Sequence, residues 1–141
     1  MQKFSKQQMY KCLDRAGEPY NYPLYVSVQN KGKFLSSASD IHSGYAALTV
    51  GGSILIADFN MMDIMIGSSE PDLIVLPLEN VTSMKISKMP LANIYKIRIK
   101  LTYNGKKYDY VISAADKVRC TDLDEQKQNL EGFMEALRQF A

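Results

Sequence analysis

Residue types that build metal and redox sites are scarce in this chain of 141 residues. It contains one histidine, His42, and two cysteines, Cys12 and Cys120. Two sulfurs and one imidazole cannot complete the four-ligand sphere of a structural zinc ion. Disulfides belong mainly to exported proteins, and no feature of the sequence favours export, so we expect both thiols to stay reduced. We therefore expect no metal and no cofactor.

Long apolar runs are also missing. No stretch approaches the ~20 apolar residues that a membrane-spanning helix needs. The N-terminal residues MQKFSKQQMYKCLDRAG contain bases but no apolar segment of the kind found in signal peptides. The composition, 46% hydrophobic and 23% charged, is that of an ordinary globular domain. We predict one cytoplasmic domain over residues 1–141, with peripheral membrane contact as the alternative.

Catalytic motifs are equally scarce. A nucleophile–histidine–acid system has to use His42, and the segment SDIHSG supplies Asp40 and Ser43 beside it. Neighbours in sequence do not by themselves have the geometry of a triad. The pair Gly51–Gly52 lacks the lysine and the spacing of a phosphate-binding loop. We predict that the protein is not an enzyme and has no catalytic residues, while a hydrolase using His42 stays open as an alternative.

The clearest positive signal is the alternation of apolar and polar residues in IYKIRIKLTYNGKKYDYVIS, residues 94–113. Asn104–Gly105 is a strong signal for a two-residue hairpin turn. This turn pairs Tyr103 with Lys106, and the register follows from that pair. The core face then pairs Leu101 with Tyr108, Ile99 with Tyr110, and Ile97 with Ile112. The opposite face pairs Lys100 with Asp109, for which we predict a cross-strand ion pair.

Most of the remaining chain also has β-strand patterning. YPLYVSVQN predicts a strand with Leu24, Val26 and Val28 on one face, and GYAALTVGGSILIADF predicts a hairpin that turns at the glycine pair. NMMDIMIGSS is a candidate strand. LIVLPLENVTSMKIS predicts two strands separated by Pro77, which belongs at a strand end or a sheet edge.

Helices are predicted at both ends of the chain. Helical spacing of apolar residues predicts a short helix from Ser5 to Arg15, ended by Gly17. The best helix covers residues 122–140, where Asp122 and Glu125 have the spacing of a capping box. Gly132 inside this helix indicates close packing against a neighbour. The apolar stripe of the helix consists of Leu130, Phe133, Met134 and Leu137.

The order of these elements predicts a mainly β, α+β fold. About seven to eight antiparallel strands form a curled sandwich or open barrel, which the C-terminal helix caps, and the short N-terminal helix is an addition. The segments GYAALTVGGSILIADF, LIVLPLENVTSM and IRIKLTYNGKKYDYVIS resemble those of pleckstrin-homology-like (PH-like) domains, in particular the bacterial PH and GRAM-like families. The resemblance makes residues 44–141 the core and residues 1–43 an N-terminal extension with a helix and a strand.

The resemblance implies a binding scaffold rather than an enzyme. Members that bind phosphoinositides carry bases in the loop of the first hairpin, whereas the corresponding loop here, TVGGSI, has none. An alternative alignment makes YVSVQNKGKF the first hairpin, which places Lys31 and Lys33 in its loop.

Charge is unevenly distributed along the sequence. Residues 34–84 contain acids but no base, and residues 81–107 contain bases but no acid. If the acidic and basic strands are neighbours, the charges neutralise one another across the sheet. If they are not, the protein has a dipolar surface that steers a charged partner. Both interpretations are open at this point.

Two sets of residues are candidates for binding. The cations of the 94–113 hairpin share one face and can attract anionic lipid; they are Lys96, Arg98, Lys100 and Lys107. The tyrosines fall on the opposite face, so we expect no nucleic-acid binding. Met61 and Met65 form a candidate apolar edge for a partner chain. We predict a protein-binding or self-associating module, with anionic lipid as the alternative ligand and no identified small-molecule substrate.

Overall fold

The computed structural model describes residues 4–31, 41–59, 71–118 and 122–140. In these residues, seven strands form one antiparallel sheet with the order β4-β3-β2-β1-β7-β6-β5. The elements are α1 (Lys6–Leu13), a 3-10 turn (Asp14–Ala16), β1 (Tyr20–Asn30), β2 (Ile41–Thr49), β3 (Ser53–Phe59), β4 (Asp72–Pro77), a 3-10 turn (Leu78–Asn80), β5 (Val81–Lys88), β6 (Ile94–Tyr103), β7 (Lys106–Ala115) and α2 (Gln126–Arg138). The predicted fold class, a curled open antiparallel sheet with a short N-terminal helix and a C-terminal helix, is confirmed.

Strand β1 occupies the centre of the sheet. It pairs with β2 along one edge, where Tyr25 lies opposite Tyr45. Along the other edge it pairs with β7, where Ser27 lies opposite Ser113. Residues 20–30, which the sequence analysis placed in an N-terminal extension, are thus integral to the sheet rather than an addition to it. The first antiparallel pair of the sheet along the chain is β1–β2.

The β6–β7 hairpin has the predicted register. Tyr103 pairs with Lys106 across the turn, and Ile97 pairs with Ile112 near the other end. Asn104 and Gly105 both have positive φ, 52° and 76°, as a primed two-residue turn requires. The turn chemistry therefore determines which side chains of both strands face the core.

The main core lies on the inner face of the sheet, beneath α2. The predicted apolar stripe of α2 is confirmed, since Leu130, Phe133, Met134 and Leu137 are all buried. They pack against strand residues from both halves of the sheet, among them Val26, Ile56, Ile99 and Ile112. Each such side chain contributes about 1.5–3 kcal/mol of burial free energy. This packing holds the curled sheet and the helix together.

A second core lies on the outer face, where α1 packs over the β2–β3 half of the sheet. Met9, Cys12 and Leu13 of α1 join Tyr45 and Leu55 of the strands. Strands β2 and β3 are therefore buried on both faces, which explains why their sequences are nearly continuous apolar runs. The helix begins after Ser5, whose hydroxyl accepts a hydrogen bond from Gln8 N–H at 3.1 Å.

The start of α2 differs from the prediction. The helix begins at Gln126 and Glu125 precedes it, without a side-chain cap. The Asp122 carboxylate instead accepts a hydrogen bond from the backbone N–H of Lys6, at 2.7 Å, in the first turn of α1. The predicted capping box of Asp122 and Glu125 is wrong, because this carboxylate caps a different helix.

Candidate functional site: an open basic face

A row of cations lies on the outer side of β5–β7. Strand alternation buries Ile97, Ile99 and Leu101 on the inner side, so the even-numbered residues of β6 face outward. All four predicted cations are exposed on this side. Lys85 of β5 joins them, because it lies directly opposite Arg98. We call this set the basic face; it consists of Lys85, Lys96, Arg98, Lys100 and Lys107.

Helix α1 leaves the basic face open. The helix covers the same side of the sheet, but its contacts are with β1, β2 and β3. In the described residues, no helix lies over the outer side of β5–β7. One half of the outer face is therefore a second core, while the outward residues of β5 and β6 form a cationic surface in solvent.

The strands that carry the described acids of residues 34–84 are not neighbours of the strands that carry these cations. Asp58 of β3 and Asp72 of β4 belong to one end of the strand order, and β5 and β6 form the other end. Strands β2, β1 and β7 separate the two ends. The interpretation in which neighbouring acidic and basic strands neutralise each other is wrong. The charge asymmetry of the sequence is instead a charge asymmetry of the sheet.

Asp109 is the acid that the described strands β5–β7 place on the basic face, and it pairs with Arg98. The guanidinium donates from Nε at 3.2 Å and from Nη2 at 3.0 Å to the two carboxylate oxygens. This pairing raises the pKa of Arg98 above its ordinary value. Lys100 lies opposite Asp109 as predicted, but the predicted ion pair between them is wrong. A planar guanidinium engages both oxygens at once, which an ammonium cannot do.

The four lysines of the basic face are available to a partner. Within the described part of the chain, none of the four makes an ion pair with a carboxylate. Their side chains project from hydrogen-bonded strands, so the spacing between the charges is set by strand geometry. The arrangement can attract and orient an anionic group.

An apolar groove of about 440 Å³ adjoins the basic face on the same side of the sheet. It begins at Ser113, which lies opposite Lys96, and it extends between β1 and the end of β7. Ser27 and Lys117 supply polar groups at its wall. The apolar lining comes from Phe4, Tyr25, Ile94, Ala115 and Val118. The groove can accept one large apolar side chain beside the lysines.

His42 is paired with an acid from the adjacent strand. Its Nδ1 lies 2.9 Å from Oδ1 of Asp58, and the two side chains are only 12% and 14% exposed. Ser43 is the next residue on β2, so its side chain points to the opposite face of the sheet. There its Oγ accepts a hydrogen bond from the Tyr25 hydroxyl at 2.8 Å. Ser43 and His42 do not form a nucleophile–base pair, and Asp40 lies outside the described residues.

The other predicted features have mixed outcomes. Of the four tyrosines predicted on the buried side, Tyr95, Tyr108 and Tyr110 pack against the core, whereas Tyr103, beside the hairpin turn, is exposed. Met61 and Met65, the predicted partner edge, lie outside the described residues. The sequence analysis did not place Lys85 on the basic face, although it belongs to the same run of bases. Its position depends on the β5–β6 register, for which the sequence has no turn signal as strong as Asn104–Gly105.

Comparison with known proteins assigns no family to the chain. No protein-family model matches the chain, and no curated protein is significantly similar to it. None of the helices in the described residues is long and apolar enough to cross a bilayer.

Proposed function

We propose that this protein is a non-enzymatic binding module whose basic face and adjoining groove recognise an acidic segment of a protein partner. The observation that carries the proposal is the open half of the outer sheet face, where four lysines have no carboxylate partner among the described residues and lie beside an apolar groove. Electrostatic complementarity of this kind mainly accelerates association and selects the partner.

The groove is the reason to favour a protein partner over a lipid at this face. Binding energy in protein interfaces concentrates where an apolar anchor fills a pocket surrounded by polar contacts. Ile94 supplies an apolar surface and Ser113 a polar one, and both lie within two residue pairs of Lys96 in the β6–β7 ladder. A flat cationic sheet attracts anionic lipid as well, but a groove walled by Phe4 and Tyr25 accommodates an anchoring side chain. Anionic lipid at the basic face is therefore the alternative proposal.

The kinship with PH-like domains is part of the same proposal. The strand order with β1 at its centre and the helix packed over the inner face support it. A scaffold of this kind holds its ligand on a preformed surface and needs no catalytic group. The proposed setting is the cytoplasm, with the protein acting alone or as part of a homo-oligomer.

A charge-reversal experiment tests the proposed partner surface. The variant Lys96→Glu/Lys100→Glu reverses the centre of the basic face without touching the core. Tagged wild-type protein and variant are cross-linked in lysate of the native cell, and the captured proteins are compared. We expect the wild type to capture acidic partners at low salt. This capture should be lost at high salt, and it should be lost in the variant.

The control is Lys11→Glu/Lys127→Glu, which makes the same change in net charge at exposed positions of α1 and α2. This control should retain the partners. Equal loss in both double variants, or the same captured set in all three proteins, would contradict the proposal. Sedimentation of the purified protein over a concentration series shows whether the partner is a second copy.

A further inference from the structure

The turn between β5 and β6 has the most exposed apolar side chains of any described turn. Leu91 is 100% exposed and Met89 is 53% exposed. The segment reads KMPLANIYK, so its seven central residues carry no charge and a lysine stands at each end. An isolated surface leucine is ordinary, but here two exposed apolar side chains lie at one tip between lysines.

The tip is held in a defined conformation. Met89 N–H donates to the Ile94 carbonyl at 3.0 Å, which closes the hairpin. The Asn93 side-chain amide donates to the Asp116 carboxylate at 3.1 Å, and Asp116 N–H donates to the Asn93 carbonyl at 3.2 Å. These bonds tie the turn to the end of β7. The exposed position of Leu91 is therefore maintained by backbone structure around it.

Cations and an aromatic ring surround the base of the tip. Lys88 Nζ lies 5.6 Å from the centre of the Tyr95 ring, and Arg138 Cζ lies 5.8 Å from the same centre. Two cations thus contact the ring of one tyrosine. In membrane proteins, tyrosine is enriched at the level of the lipid headgroups. Arg138 also brings the end of α2 to this place, and Phe140, 58% exposed, follows two residues later.

We propose that the β5–β6 tip inserts Met89 and Leu91 into the interface of an anionic lipid bilayer, while Lys88 and Arg138 contact the headgroups. This membrane site is separate from the partner surface proposed above and does not depend on it. Apolar side chains at a protruding turn fit hydrocarbon without shape complementarity, whereas a protein partner would need a matching pocket. The surrounding cations favour anionic headgroups, since each base near such a surface adds to the attraction.

The absence of tryptophan from the chain makes a direct test possible. Leu91→Trp places a single tryptophan at the tip, whose emission can be excited without that of the tyrosines. The matched control is Val50→Trp, at another exposed aliphatic turn residue, 66% exposed, whose neighbours in sequence are Thr49 and Gly51. Both variants are titrated with vesicles of pure phosphatidylcholine and with vesicles that also contain phosphatidylserine. The tip is expected to shift its emission to shorter wavelength only with the anionic vesicles, and lipids with brominated chains should quench it.

Binding without a fluorophore is measured by vesicle co-sedimentation. Met89→Ser/Leu91→Ser should weaken partition into anionic vesicles at least about tenfold, because two apolar side chains no longer leave water. Lys88→Gln should weaken it about fivefold, and Lys11→Gln, on α1, should leave it unchanged.

Four results would overturn the proposal. The first is no change in Leu91→Trp emission with anionic vesicles, and the second is an equal change in Val50→Trp. The third is equal partition into neutral and anionic vesicles. The fourth is an emission shift that depends on protein concentration without any lipid, which would make a second copy of the chain the occupant of the tip.

Discussion

Gly132 of α2 lies directly against the ring of Tyr22 in β1, so closely that a Cβ at position 132 would overlap the ring. Tyr22 has a positive φ of 58°, so its ring is held over the helix by an unusual backbone conformation. Gly132→Ala should therefore destabilise the protein by about 1–3 kcal/mol through overpacking, offset in part by the ~1 kcal/mol that alanine gains in helix propensity. Urea unfolding measures the free energy.

A double-mutant cycle separates the two contributions to the Gly132 effect. In a Tyr22→Ala background the obstruction is gone, so Gly132→Ala should become stabilising, by about 1 kcal/mol. The same sign in both backgrounds would show that the ring contact does not limit residue 132.

Gln126 joins α2 to the point where β1 and β7 separate. Its side-chain oxygen accepts from Tyr25 N–H at 2.9 Å, and its amide nitrogen donates to the carbonyls of Tyr25 and Ala115, both at 2.9 Å. The residue is only 3% exposed. Gln126→Leu should cost about 3 kcal/mol or more, because each buried polar group left unpaired costs about 1–3 kcal/mol.

The control for Gln126 is Gln128→Leu, at an exposed position of the same helix. Its free energy of unfolding should stay within about 0.5 kcal/mol of the wild type. A Gln126→Leu effect as small as this would mean that water replaces the amide at the strand junction.

Local signals made part of this fold predictable. The Asn104–Gly105 turn determines the register of β6–β7, because a two-residue loop allows one pairing. The inward face of that hairpin, and with it the outward row from Lys96 to Lys100, followed from strand alternation. The apolar stripe of α2 was equally readable from helical spacing.

Pairings between residues far apart in sequence were not predictable in this way. Ser27 of β1 pairs with Ser113 of β7, and no local pattern encodes that contact. The Asp122 carboxylate illustrates the same limit. Its position in the sequence, just before α2, is that of a residue that caps α2, but its hydrogen-bond partner is the backbone of Lys6 in α1. Which half of the outer sheet face stays open likewise depends on where α1 docks, a property of the whole fold.

Asp109 is expected to limit the charge of the basic face. Asp109→Asn releases the Arg98 guanidinium from its forked pair and should strengthen binding to an anionic partner. Stability should change by less than about 1 kcal/mol, because Arg98 is 46% exposed and exposed ion pairs contribute little. The measurement is the salt concentration that elutes the protein from a cation exchanger, which should rise more than for Glu131→Gln, an equal charge change on α2. Equal shifts would mean that the pair does not mask the face.

The alkaline stability of the protein should depend on Tyr45, whose hydroxyl donates to Gln8 Oε1 at 2.5 Å and accepts from Ser5 N–H at 3.1 Å. Burial raises the pKa of this phenol above its ordinary value of about 10. Above that pH the unfolded chain loses the Tyr45 proton while the folded protein keeps it, so the unfolded state binds fewer protons and stability falls as pH rises. Tyr45→Phe should lower stability at neutral pH, through the lost hydrogen bonds, but make the decline above about pH 10 shallower.

Thermal unfolding from pH 7 upward measures both effects, with Tyr10→Phe, at an exposed position of α1, as the control. An unchanged alkaline slope in Tyr45→Phe would mean that this buried phenol does not govern it.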